Sequence, residues 1–134
     1  MSAPCEDLAR ILNGYGDLVL GTNLFGFEIG FNGDAEIDKQ LAILDTGTAS
    51  VDSYPIYEHP TIQLFFRGER AQRGKDVFDW ADPILKHILS LPETDQNGSG
   101  YAVFRPLNGL NPLGRDENGR FIYTANIYTF RTEV

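Results

Sequence analysis

The chain has 134 residues, 42% hydrophobic and 22% charged, the proportions of one folded domain with a core of its own. Its net charge of −8 gives no counterion-release energy against a polyanion, which argues against DNA or RNA as a bound ligand. One cysteine, Cys5, excludes an internal disulfide framework and a cysteine-built zinc cluster. No apolar run reaches membrane-spanning length, and the N-terminus carries Glu6 and Asp7 where a secretory signal has an apolar stretch, so a soluble product is expected.

Pro4–Leu12 reads as a short amphipathic helix: Leu8, Ile11 and Leu12 share a face, Glu6 and Asp7 suit its positive end, and Asn13-Gly14 stops it. Asp17–Leu24 reads as a strand. Phe25–Phe31 alternates apolar with small or polar residues, with glycines that suggest a bulge, and Asn32-Gly33-Asp34 is a turn. Lys39–Asp45 is a further strand, ended by Thr46-Gly47. Thr48–Pro60 lacks periodicity and reads as a long loop, whose Tyr54, Pro55, Ile56 and Tyr57 are too apolar for disorder. Thr61–Arg67 is the clearest strand, with Ile62, Leu64 and Phe66 on one face.

The clearest helix spans about Gln72–Leu91, with an apolar stripe through Val77, Phe78, Ala81, Ile84, Leu85, Ile88 and Leu89. Pro83 lies inside it and predicts a kink or break near Asp82. Thr94–Gly100 is a polar hinge loop. Tyr101–Arg105 and Arg120–Arg131 form a closing antiparallel pair across a loop of Gly, Pro and Asn, with Asn118-Gly119 predicting a tight primed turn. Phe121, Tyr123, Ala125 and Ile127 alternate with Ile122, Thr124, Asn126, Tyr128 and Phe130, so both faces of the last strand need cover, some of it from neighbours. The expected fold is a single α+β domain over 1–134, a mainly antiparallel sheet with a long helix on one face and a short N-terminal helix.

Catalytic signals are weak. His59 and His87 are far apart in sequence and read as structural or surface histidines. Asp34, Glu36 and Asp38 lack the spacing of a calcium loop, and Asp76, Asp79 and Asp82 read as a polar helix face. Gly21-Thr22-Asn23 and Gly47-Thr48 match no phosphate loop, and the acids beside Cys5 raise its pKa. No catalytic, cofactor or metal residue is assigned. Charge is one-sided: residues 1–58 hold Arg10 and Lys39 against ten carboxylates, whereas 59–134 hold nine bases and nine acids. A solvated face or a wall past which nucleic acid slides both fit that pattern.

The ordered set Gly21–Phe25, Ile43–Gly47, Pro60–Gly68, the helix Lys75–Leu91, and Gly114–Arg120 leading into Tyr123–Tyr128 resembles the tail terminator and minor capsid proteins of long-tailed bacteriophages. The resemblance covers nearly the whole chain. It implies a structural virion subunit without catalysis or cofactor, assembled in the host cytoplasm. It implies a homo-hexameric ring that caps the tail tube, ends its polymerisation and meets the head-neck connector or stopper, with genomic DNA passing the lumen unbound and no membrane partner. On that reading Tyr54, Ile56, Tyr57, Leu107, Leu110 and Leu113 are expected at subunit or partner contacts. Asp34, Glu36 and Asp38 are expected to face the lumen, with Arg70, Arg73 and Lys75 at contacts. Two alternatives stay open: another ring protein of the same neck, or a small-ligand or enzymatic module with a pocket lined by Phe65, Trp80 and Tyr123.

Overall fold

The computed structural model describes residues 3–27, 39–53, 56–96 and 98–133, and their side chains except those of 47–58 and 133. The order is α1 (Pro4–Leu12), β1 (Leu24–Gly26), β2 (Gln40–Ser53), β3 (Ile56–Arg70), α2 (Gly74–Leu89), β4 (Thr94–Gln96), β5 (Ser99–Tyr101), β6 (Arg105–Pro106), β7 (Asn111–Arg115), β8 (Arg120–Tyr128) and β9 (Arg131–Glu133). This is the expected α+β architecture, and among the described strands every pairing is antiparallel except the short β1–β2 contact.

The sheet branches. β1, β2 and β3 lie side by side, and β3 then meets one continuous line made of β8 and β9. Beyond that line β6 and β7 flank β8, while β5 and then β4 flank β9. Register places Leu41, Phe66 and Tyr123 in one row and Ile43, Leu64 and Ala125 in the next. Side chains directly opposite one another share a face, so these rows form the floor on which both helices pack. Leu8 and Leu12 of α1 and Ala81, Ile84, Leu85 and Ile88 of α2 join them in one buried cluster. The opposite face is also largely dry, with Gln40, Ala42, Arg67, Ile122 and Thr124 buried.

Several elements differ from the sequence reading, each for a local reason. Residues 17–23 are turns, not a strand. Asn23 Oδ1 accepts from the Val19 N–H (2.7 Å), Asn23 Nδ2 donates to the Asp17 carbonyl (2.8 Å), and Asn13 Oδ1 accepts from the Leu20 N–H (3.0 Å). Side-chain amides thus take the backbone groups that a ladder would pair. Of the predicted strand Phe25–Phe31, β1 takes in Phe25 and Gly26, and Phe27 turns out of it with a φ of 77°; residues 28–31 lie outside the described residues.

The supposed loop Thr48–Pro60 is instead the outer part of a long β2–β3 ribbon, paired from Gly47↔Thr61 to Ser53↔Ile56. Two register shifts, between Asp45 and Gly47 and between Thr48 and Val51, absorb the sequence irregularity that hid it. The polar hinge is a β4–β5 hairpin, with Thr94 opposite Tyr101. The Gly- and Pro-rich segment before Arg120 contains β6 and β7, both paired to β8, whereas Tyr101 pairs with Arg131.

The Asn118-Gly119 corner is not a primed turn. Only Gly119 has positive φ (76°), and its N–H donates to the Asp116 carbonyl at 3.0 Å. That is the hairpin in which a glycine in the left-handed region follows an ordinary turn. Pro83 neither breaks nor ends α2, which runs unbroken for 16 residues and is two residues shorter at each end than the expected span of about Gln72–Leu91. Pro83 is exposed, so the carbonyl it leaves without an N–H partner lies on the solvent side.

Candidate functional site

Among the described residues no catalytic constellation assembles. His87 stacks on Tyr15 with ring centroids 3.7 Å apart, and His59 sits edge-on to Phe130 at 4.7 Å. The helix acids are each engaged by a neighbouring base: Asp76 with Arg73 (2.9 Å), Asp79 with Lys75 (3.0 Å) and Asp82 with Lys86 (2.8 Å). Among the described residues no three His, Cys, Asp or Glu side chains converge as metal ligands. The Cys5 thiol is pushed up to about 12, first by burial and then by Asp45, whose Oδ1 accepts from the Cys5 N–H at 3.0 Å. After burial, the acid that raises it is Asp45 of β2 and not the helix neighbours Glu6 and Asp7.

The proposed ligand pocket does not form. Phe65 pairs with Thr124 and lies on the face opposite Tyr123, while Trp80 meets Phe66 edge-on at 5.8 Å. An open cleft of about 390 Å³ does lie between α1's end and α2, lined by Tyr15, Gly16, Asp17, Asp79, Trp80, Pro83 and Ile84. Its two acids are already engaged. Asp17 accepts from Trp80 Nε1 (3.3 Å) and pairs with Lys39 (3.3 Å), and Asp79 holds Lys75.

Two buried ionic devices serve the fold. Asp7, with no exposure, accepts a hydrogen bond from the Tyr101 hydroxyl and lies 3.4 Å from Arg10, tying α1 to β5. Burial, then the Asp7 carboxylate, pushes the Tyr101 phenol above its ordinary range. Arg67 of β3 grips Asp116 through Nε (2.9 Å) and Nη2 (2.7 Å). The other oxygen of Asp116 accepts from the Asn118 and Arg120 N–H groups (2.9 and 3.0 Å). Burial alone pushes this carboxyl up; the Arg120 and Asn118 amides and the Arg67 charge outweigh it and hold it below the ordinary carboxylate range.

What the surface offers is apolar. Val19 (51%), Leu20 (41%), Phe27 (56%), Phe78 (39%), Val103 (38%), Leu107 (56%) and Leu113 (55%) are exposed. Of the contact residues expected from sequence, Leu107 and Leu113 stand out at the β6–β7 edge, but Leu110 folds back against the core. Tyr54 and the side chains of Ile56 and Tyr57 lie outside the described residues, as do Asp34, Glu36 and Asp38. Arg70, Arg73 and Lys75 are exposed between β3 and α2, with Arg73 and Lys75 held by helix acids. Sequence reasoning missed Val19, Leu20 and Phe27, because it placed them inside strands whose alternation would have buried or paired them.

Residues 11–132 match the family described as bacteriophage tail terminator protein. The chain belongs to the bacteriophage tail terminator family. It is thus a structural component of the phage tail, and the family is structural rather than enzymatic. Comparison with curated proteins gives no significant match. The match runs from the end of α1 through β9, so it takes in the branched sheet, α2 and both apolar edges. Among the described residues no helix is long and apolar enough to cross a membrane.

Proposed function

We propose that this tail terminator forms a homo-hexameric ring on the end of the tail tube, stops tube polymerisation there and joins the tail to the neck. The observation that carries the reading is the family match over 11–132. The surface supports it: large apolar side chains stay in water at two separate edges, which suits a subunit with partners on more than one side. The partners are the tail tube protein and the head-neck connector or stopper, met after synthesis in the host cytoplasm. The genome passes through the lumen without specific binding. On this reading Asp34, Glu36 and Asp38 face the lumen, where carboxylates repel a polyanion only over the ~8 Å screening length and let it slide. The engaged acids of the α2 cleft give no support to a ligand-binding alternative.

The test is assembly. Tail tube protein polymerised with this chain should give tubes of bounded length, each with a six-fold ring at one end in electron micrographs. Tubes that grow equally long with and without it, and bear no end ring, would refute the reading.

A further inference from the structure

We infer that neighbouring copies in the ring meet head to tail, the β1 edge of one (Val19, Leu20, Phe27) against the β6–β7 edge of the next (Leu107, Leu113). The inference rests on the ring reading and adds which surfaces form the seam.

The first argument is placement. β1 and β7 are the two ends of the strand series β1-β2-β3-β8-β7. Neighbouring strands lie ~4.8 Å apart, so these edges are about 19 Å from one another, across the width of the sheet. Among the described residues, five of the seven exposed large apolar side chains lie at these two edges, and Val103 lies two residues before β6. Two different patches on opposite sides of one subunit make a heterologous contact, the kind that closes into rings; a two-fold dimer would use one patch twice.

Charge supplies the second argument. The β1 edge belongs to the half of the chain that holds only Arg10 and Lys39 against ten carboxylates. Both of those bases are engaged within the chain, Arg10 by Asp7 and Lys39 by Asp17. Among the described residues, exposed Asp45 lies on β2 two residues beyond Ile43, the partner of Gly26 at this edge. The β6–β7 edge presents exposed Arg105 and Arg115 beside Leu107 and Leu113. An apolar contact flanked by opposite charge sets its own partner and orientation.

The backbone then says what kind of seam this is. The β7 edge carries Pro106 and Pro112 and a register shift between Pro112 and Gly114. At β1 the strand is three residues long, and its Leu24 carbonyl already accepts from the Gly21 N–H at 2.9 Å. Such edges resist strand addition. The seam is therefore made by side chains and not by a sheet running from copy to copy. Phe27 fits this role: its left-handed backbone (φ 77°) is costly for an aromatic residue, and it leaves the ring 56% exposed. In the free chain that side chain stays largely in water, and a neighbour's apolar edge covers it.

The test is made on rings assembled at the ends of tail tubes. A chain carrying both Leu20→Cys and Leu113→Cys, oxidised in the ring, should give a ladder of linked species up to the closed ring on a non-reducing gel. Phe27→Cys with Leu107→Cys should do the same, and each single variant should give none. Cys5 is buried and does not interfere. Phe27→Gly and Leu113→Ser should not lower the thermal midpoint of the free chain, and each should reduce ring formation at least tenfold. Normal end rings that yield no ladder from either pair, or dimers from a single-cysteine variant, would overturn the seam and leave the ring reading standing. A wild-type chain that forms no ring overturns both.

Discussion

Replacing Asp116 with alanine should be among the most damaging single changes on the outer part of the sheet. Its carboxylate accepts from Arg67 Nε and from the Asn118 and Arg120 N–H groups at 2.9–3.0 Å, and Arg67 Nη2 approaches at 2.7 Å. Arg67 keeps only 8% of its side-chain surface, so alanine strands a guanidinium that water barely reaches. Breaking a buried pair on one side costs about 3–5 kcal/mol. Asp116 itself is 20% exposed, which favours the lower end, ~3 kcal/mol. That corresponds to a fall in thermal midpoint of about 10 °C for a domain of this size. Asp116→Asn keeps an acceptor for the two turn amides and should cost ~1–2 kcal/mol. Urea unfolding followed by the fluorescence of Trp80, the only tryptophan, measures each value. Arg67→Met combined with Asp116→Ala should show a coupling of ~2 kcal/mol.

The pH dependence has a definite sign. The folded carboxyl is held low, so its contribution is complete above the unfolded value of about 3.9 and disappears as pH falls through the lower folded value. The gap between wild type and Asp116→Asn should therefore narrow below about pH 4. An alanine variant within ~1 kcal/mol of wild type, or strictly additive effects in the cycle, would refute the reasoning.

Gly68→Ala should cost about 2 kcal/mol, since a Cβ there lies 2.4 Å from Val77 Cγ2 in a closed core, and Val77→Ala in the same chain should recover part of the loss. Purely additive effects in that double variant, measured by thermal unfolding, would show that the clash is not the cause. The Cys5 thiol, buried and pushed up to about 12, should resist thiol reagents at pH 8 until the chain unfolds in urea; labelling of the folded protein at the rate of a free thiol counts against this burial. Because that pKa is raised, the stability tied to Cys5 is present below the unfolded value of about 8.5 and declines as pH rises above it. The tip of the β2–β3 ribbon beyond β9, Asp52–Ser53 and Ile56–Tyr57, should exchange its amides faster than β8 in the free chain, as two-stranded ribbons do, and slow at least tenfold on tail tubes. Equal exchange of that ribbon in both states would remove it from the partner contacts.

Local pattern was enough for the elements whose chemistry is local. The 3.6-residue stripe from Val77 to Ile88 and the alternation of Ile62, Leu64 and Phe66 named α2, β3 and their shared core, because burial on one face imposes a period. The α+β class and the family resemblance were likewise readable from residues in order. Tertiary structure decided what depends on distant partners. Gly47–Ser53 has no periodicity to read and is a strand because the backbone of residues 56–61 pairs with it across two register shifts. Asp7 looked like a helix-end acid, and only the Tyr101 hydroxyl, brought in from β5, explains its burial. Asn118-Gly119 resembled a primed turn, but Arg67 holds Asp116 so that one positive φ closes the corner. The apolar edges followed the same rule: Leu107 and Leu113 could be named from composition, yet Leu110 turned inward and Val19, Leu20 and Phe27 outward. Exposure is set by which strand ends up at the border of the sheet, and strand order is a property of the folded chain that no short stretch of sequence contains.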